Sequence, residues 1–392
     1  MPLPVTEPTS FFDLDSVREP IQMVDLKTQY LRNKAAIDGA IQGCIDAAAF
    51  IKGPQVRLLE EQLAAYLSVD QVVSCANGTD ALQLAMMALE LAPGDEVIVP
   101  AFTYVATAEV IALLGLTPVI VDVDPQSFNL TAAQVEAAIS PRTRAVVPVH
   151  LFGQCADIAA ILRLCQSSDI SVIEDAAQSI GAHYTFPNGQ RGAAGTLGTI
   201  GTTSFFPSKN LGCFGDGGAV LTQDAALAKR VQMLANHGQA RKYQHDVVGI
   251  NSRLDTLQAA ILLEKLAWLP DYTEARQWAA DQYDQRLSGI DGLQIPYRSP
   301  SSTHVFHQYT ITIADDRRDS LKTYLQQRGI PSMIYYPLPL TEQKAYQGLG
   351  RVVGDLPVTV ALCQSVLSLP MHTELSVDQI DYISETICTF FA

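Results

Sequence analysis

From about Gln71 the chain alternates between two hydrophobic spacings. Short apolar runs, "QVVSCA", "EVIVP", "PVIVDVD", "RAVVPVH" and "SVIED", read as strands buried on both faces. Between them "GTDALQLAMMALEL", "TYVATAEVIALLG", "TAAQVEAAI" and "DIAAILRLCQSS" repeat apolar residues at helical intervals, with Thr131 and Asp157 placed to cap the last two. Strands alternating with helices predict an α/β architecture whose sheet carries helices on both faces. Two helical patterns precede this region, "LRNKAAIDGAIQGCIDAAAFI" and "VRLLEEQLAAYL". A long amphipathic one, "LDTLQAAILLEKLAWL", follows it up to Pro270, and the rest mixes strand ("HQYTITIA") with helix ("SLKTYLQQRG"). We therefore expect a leader over 1–20, a large domain over 21–270 and a smaller α+β domain over 271–392.

Composition narrows the class. A chain of 392 residues with 48% hydrophobic and 17% charged positions can bury a large interior. No apolar run approaches a membrane span, and the acidic, Pro-rich start "MPLPVTEPTSFFDLD" lacks a signal peptide's pattern, so a cytoplasmic protein is expected. Seven scattered cysteines without a C-x-x-C pair suggest buried free thiols and no metal site. The net charge of −15 speaks against binding to nucleic acid or to an anionic membrane. An anionic substrate would need a local cluster of donors.

Three strand ends carry chemistry. "NGTDALQ" leaves a strand and opens a helix at Asn77, where free N–H groups and a glycine could seat a phosphate. An ordinary helix cap by Asn77 or Thr79 explains the same residues. "IEDAAQS" ends an apolar strand with Asp175, and Gln178 follows three residues later. A carboxylate there needs a partner: a cationic ring nitrogen, or the backbone of a capping box. In "SFFPSKNLGCFGDGGAV" a single Lys209 stands among Phe205, Phe206, Pro207, Leu211, Gly212, Cys213 and Phe214. Apolar walls would desolvate the amine and lower its pKa, the condition for Schiff-base chemistry. A solvated surface lysine is the plain alternative. Phosphate seat, ring-nitrogen carboxylate and reactive lysine, in that order, are what a pyridoxal phosphate enzyme needs.

The segments "NGTDALQLA", "PAFTYVATAEVI", "VIEDAAQSIGA", "TTSFFPSKNLGCFGDGGAV" and "GINSRLDTLQAAIL" together resemble the DegT/DnrJ/EryC1/StrS sugar aminotransferases, from Ile21 onward. The resemblance implies the fold-type-I architecture: a large domain with a mostly parallel sheet between helices, and a smaller C-terminal α+β domain. It implies pyridoxal 5'-phosphate as cofactor, with pyridoxamine 5'-phosphate as the intermediate carrier, and L-glutamate as amino donor. By the same resemblance Lys209 bonds to the cofactor and moves the proton, Asp175 pairs with the ring nitrogen, and Gln178 meets the ring oxygen. Tyr104 stacks on the ring, while Gly78, Thr79 and Ser204 hold the phosphate. Asn251 reaches the phosphate of a partner subunit in a homodimer, and Arg253 lies near the sugar.

The branch most similar aminates C3 of a UDP-linked 3-keto sugar, usually UDP-2-acetamido-2-deoxy-3-oxo-glucuronate, for surface polysaccharide or lipopolysaccharide precursors. A neutral 3-keto or 4-keto nucleotide sugar is the alternative substrate. Many members carry His-Tyr-Pro near the sugar, where this chain has "IYYPLP" with Tyr335 in the histidine position. Dehydratase relatives replace the lysine by histidine, so Lys209 points away from them. A non-catalytic cofactor-binding protein, or a transferase without cofactor, are the readings from other classes.

Overall fold

The computed structural model describes residues 20–392. Its frame is an eight-stranded sheet: β1 (Gln71–Cys75), β2 (Glu96–Pro100), β3 (Thr117–Val121), β4 (Thr143–Val146), β5 (Ser171–Asp175), β6 (Ile200–Ser204), β7 (Gly218–Thr222) and β8 (Arg351–Val352). Across the sheet the order is β1-β7-β6-β5-β4-β2-β3-β8. Strand β7 runs antiparallel to both neighbours and the other pairings are parallel, so seven strands point one way.

The continuous apolar runs are buried on both faces, as their composition requires. Helices Gly78–Ala88, Ala106–Leu113 and Ala225–Leu234 cover one face, packing Leu84, Met86, Val110 and Val231 against Val97, Val99 and Ile173. Ala132–Ala138 and Ile158–Gln166 cover the other, with Val135, Ile158 and Ile161 against Ile98, Val146 and Val172. Each fully buried side chain of this kind stabilises the fold by roughly 1.5–3 kcal/mol. Thr131 caps its helix through a capping box with Gln134. Asp157 makes no cap; its carboxylate accepts a 2.5 Å bond from the Tyr184 hydroxyl instead.

The first helical pattern breaks at Asn33 into Leu26–Arg32 and Lys34–Asp46. The amphipathic pattern ending at Pro270 also divides: Thr256–Leu266 stops, and Leu269–Leu287 starts with Pro270 in its first turn, where a missing N–H costs nothing. The latter helix packs Ala279, Tyr283 and Leu287 into a second core. That core contains the antiparallel sheet Leu293–Gln294, Tyr309–Ile313 and Val366–Leu369, and helices Arg318–Gln326 and Val377–Phe391. Among the described residues no helix is long and apolar enough to cross a membrane. Six cysteines are buried and free, and Cys388, on the last helix, is exposed.

Candidate active site

The carboxyl ends of β1, β5 and β6 meet His307–Gln308 and Tyr335–Tyr336 around a cavity of about 650 Å³. Parallel sheets place ligands there because their loops gather at the strand ends. Gly78, Thr79, Tyr104, Asp175, Gln178, Ser204, Lys209 and Tyr335 all line it. Chain order had separated them by up to 257 residues (335 minus 78), and the sheet brings them together.

At one end, helix Gly78–Ala88 begins. Asn77 caps it, its side chain accepting from the Asp80 N–H at 2.8 Å. The cap and the phosphate seat thus coexist, because the N–H groups of Gly78 and Thr79 have no intrahelical acceptor and face the cavity end. Position 78 must be glycine: a Cβ would sit 2.7 Å from the Cβ of Ser204. That approach is what puts the Ser204 hydroxyl beside the helix terminus.

Asp175 is buried at the end of β5. Its Oδ2 accepts from the Thr107 hydroxyl at 2.9 Å and its Oδ1 from the Ala177 N–H at 3.1 Å. No helix follows it, so the capping-box reading fails; Gln178 instead accepts from the Phe152 N–H at 2.7 Å and donates to the Tyr336 hydroxyl at 3.2 Å. Two backbone-and-hydroxyl bonds fix the carboxylate while leaving lone pairs free, since an ionised carboxyl offers about four acceptor sites.

Lys209 is half-buried in the turn between β6 and β7. The turn is tight: a Cβ at Gly212 would lie 2.3 Å from the Pro207 carbonyl oxygen. Three side-chain ties hold it. Asn210 donates to the Val305 carbonyl at 2.8 Å, Lys265 to the Gly212 carbonyl at 2.6 Å, and Gln258 exchanges bonds with the backbone of Phe214. Burial pushes the Lys209 ammonium down to about 8, against the opposing pull of the Asp175 charge. A fall from 10.5 to about 8 raises the free-amine fraction at neutral pH by about 300-fold. The walls are not quite those the sequence suggested. Phe205, Leu211 and Cys213 are buried, but Phe206 is 52% exposed at the cavity rim and Phe214, 42% exposed, faces Tyr30 and Lys265. Desolvation comes from the cavity itself, including His307 and Tyr336.

Two expected site residues are elsewhere. Asn251 is exposed and bridges Asn236 through its backbone, and Arg253 is partly exposed; neither lines the cavity of a single chain. Arg253 makes no ion pair with any described residue, Asp255 included. Lys209 is the only lysine or arginine among the described lining residues, set against Asp80, Asp175 and Asp216.

Sequence reasoning passed over Thr107, Asp216, His307, Gln308 and Tyr336. Tyr336 could have been found beside Tyr335. Nothing in the local pattern marks His307, which arrives from the other core.

Pyridoxal phosphate fits this cavity. Free N–H donors, a fixed carboxylate with spare lone pairs and an unpaired amine line it together. The buried Thr103 hydroxyl lines the same space without a partner among the described residues, as expected of a group that a bound molecule satisfies.

Known proteins agree with this geometry. The profile of the DegT/DnrJ/EryC1/StrS aminotransferase family matches residues 32–388. The chain is 47% identical over 363 residues, 93% of its length and 98% of the relative's, to the UDP-2-acetamido-2-deoxy-3-oxo-D-glucuronate aminotransferase of Pseudomonas aeruginosa. It is also 47% identical over 367 residues to the UDP-N-acetyl-3-dehydro-alpha-D-glucosamine 3-aminotransferase of Acidithiobacillus ferrooxidans, covering 94% of this chain and 97% of that one. Its fold superimposes on a DegT/DnrJ/EryC1/StrS aminotransferase from Brucella abortus with a TM-score of 0.90 and 43% identity, covering 95% of this chain and all of that one. The cavity, the lysine in it and the match along almost the whole chain lead to one conclusion: this protein belongs to the DegT/DnrJ/EryC1/StrS family of pyridoxal-phosphate-dependent aminotransferases.

Proposed function

We propose that the protein transfers the amino group of L-glutamate to the C3 ketone of a UDP-linked 2-acetamido-2-deoxy-3-oxo sugar, in the cytoplasm, for surface polysaccharide or lipopolysaccharide precursors. The observation that carries this is the unpaired, desolvated Lys209 in one cavity with Asp175 and the Gly78–Thr79 N–H groups. Two relatives of equal identity, both named for 3-oxo UDP sugars, support the substrate class.

Gly78, Thr79 and Ser204 would hold the cofactor phosphate, Tyr104 one ring face, Gln178 the ring oxygen and Asp175 the ring nitrogen. When bound, the cofactor supplies an aldehyde carbon and an electron-withdrawing ring. Asp175, held by Thr107, keeps that ring nitrogen protonated through its charge. The Lys209 amine, once free, takes the proton from the donor's amino-bearing carbon and later delivers one to the sugar carbon. Depression of its pKa lets it do both near neutral pH.

The preferred sugar is the glucuronate, whose carboxylate Arg253 reads. The cavity of one chain lacks a cation for it, so Asn251 and Arg253 are assigned to the site of a second copy in a homodimer with two equivalent sites. Arginine's planar fork suits a carboxylate better than a lysine does. Tyr335 faces the sugar. The test compares the glucuronate with its neutral UDP-3-oxo-N-acetylglucosamine counterpart, in the unmutated enzyme and in Arg253→Lys. Arg253→Lys should weaken the sugar half-reaction and spare that of L-glutamate. Preference for the neutral sugar would overturn the glucuronate assignment and leave the aminotransferase one standing.

A further inference from the structure

His307 is 5% exposed and lines the cavity, yet its Nδ1 has no partner among the described residues. Its Nε2 has one contact, the side-chain nitrogen of Gln308 at 3.5 Å. A buried ring nitrogen left unpaired costs stability, and native folds retain such a group where a ligand completes it.

The backbone around this ring is held in place. Phe306, just before it, takes a left-handed conformation with φ of +44°, unfavourable for an aromatic residue. Contacts from His304, Arg298 and Arg276 hold that bend. The Phe306 N–H donates to His304 Nδ1 at 3.0 Å, the His304 ring stacks on Phe306 at 3.9 Å, and the Arg298 guanidinium lies 4.9 Å from the same ring. From helix Leu269–Leu287, the buried Arg276 donates to the carbonyls of Phe306 at 3.0 Å, His307 at 3.5 Å and Met371 at 3.1 Å. Burial, together with the Lys209 and Arg276 charges, holds the His307 imidazole well below its usual pKa, so the ring is neutral.

A neutral imidazole carries one donor and one acceptor, and the two exchange by tautomerisation. Gln308 can select between them, because its amide presents either NH₂ or C=O to Nε2 according to its rotation. This suits a site that admits two substrates in turn at the same place. A carboxylate beside the donor's reacting carbon needs an N–H; a hydroxyl or amide beside the sugar ketone can use a lone pair. A guanidinium could serve only the first.

We propose that His307 is a specificity residue shared by both half-reactions, its Nδ1 donating to the amino donor's carboxylate in one and accepting from a hydroxyl or amide N–H of the sugar in the other. This rests on the substrate reading above.

The test uses single turnovers of the holoenzyme followed by cofactor absorbance, with L-glutamate for one half and the UDP-linked 3-amino sugar, run in reverse, for the other. His307→Phe should slow both halves by about 10- to 100-fold at subsaturating substrate. Cofactor affinity, measured by titrating the cofactor-free protein, should stay within about twofold, because the cofactor's own contacts lie elsewhere. His307→Gln, which keeps a donor and an acceptor, should recover most of both rates. His307→Leu gives the same comparison if the phenylalanine variant does not fold. An unimpaired half-reaction, a large loss of cofactor affinity, or a glutamine variant no better than phenylalanine overturns the proposal. A wild-type enzyme that converts L-glutamate but not the UDP sugar instead fails the substrate reading.

Discussion

Replacing Lys265 by methionine probes the turn that carries Lys209. Lys265 is 3% exposed on helix Thr256–Leu266, its ammonium bonded to the Gly212 carbonyl at 2.6 Å, with no ion pair to a described carboxylate. Burial pushes it down to about 8 from 10.5. The unfolded chain then holds a proton that the folded chain has lost between those values, so wild-type stability rises with pH across that window. The full shift corresponds to about 3 kcal/mol, and most of it falls between pH 7 and pH 10. Methionine removes the penalty and also the bond, leaving a carbonyl unpaired at a cost of about 1–3 kcal/mol. Near pH 7 the two effects offset and Lys265→Met should lie within about 2 kcal/mol of wild type. At pH 10 it should be the less stable protein. Urea unfolding of cofactor-free protein at both pH values measures this, and other titrating groups cancel in the difference. A stability difference that does not move with pH, or that moves in the variant's favour, refutes the reasoning.

Lys209→Ala should abolish transamination, with the fold intact by circular dichroism; appreciable turnover would remove Lys209 from its role. Gly78→Ala forces a Cβ to within 2.7 Å of the Ser204 Cβ, so cofactor affinity should drop at least about 10-fold, and the cofactor-free protein should lose roughly 1–3 kcal/mol of stability to the overpacked contact. An unchanged titration curve would show that the helix terminus is not the phosphate seat. Mixing Lys209→Ala with Asn251→Ala subunits should restore part of the activity, since some sites of a mixed dimer regain both residues; no recovery after confirmed subunit exchange counts against shared sites.

The sheet was legible because β1 to β5 are near-continuous apolar runs with no competing helical spacing, and their ends marked Asn77 and Asp175, as the apolar run before Pro207 marked Lys209. Strand β7 was not. Its five residues, Gly218–Thr222, follow a glycine-rich turn that masks their start, and strand direction has no local signature. Asp157 satisfies the usual cap pattern, yet the Tyr184 hydroxyl, 27 residues away, takes its carboxylate. His307 was missed for a related reason: it follows Phe306 of the second core, and only packing between the two cores puts it at the cavity, while Tyr336 arrives from a distant segment that packs on Phe102. Asn251 and Arg253 illustrate the converse, residues whose sequence motif points to a site whose cavity they do not line in one chain.

Strand β1 lies at the edge of the sheet, and its sole neighbour there is β7. The helix whose first turn faces the cavity follows directly from β1. On the ribosome, then, the strand that anchors this terminus waits unpaired until Thr222 has emerged, after every parallel strand from β2 to β6 has been made. Nascent chains arrested before β7 would contain Gly78, Asp175, Ser204 and Lys209 yet capture no cofactor, whereas chains released just beyond it could close that side of the sheet. The phosphate end of the cavity is thereby fixed only after Lys209 has been made, and the walls from His307 and Tyr336 follow later still.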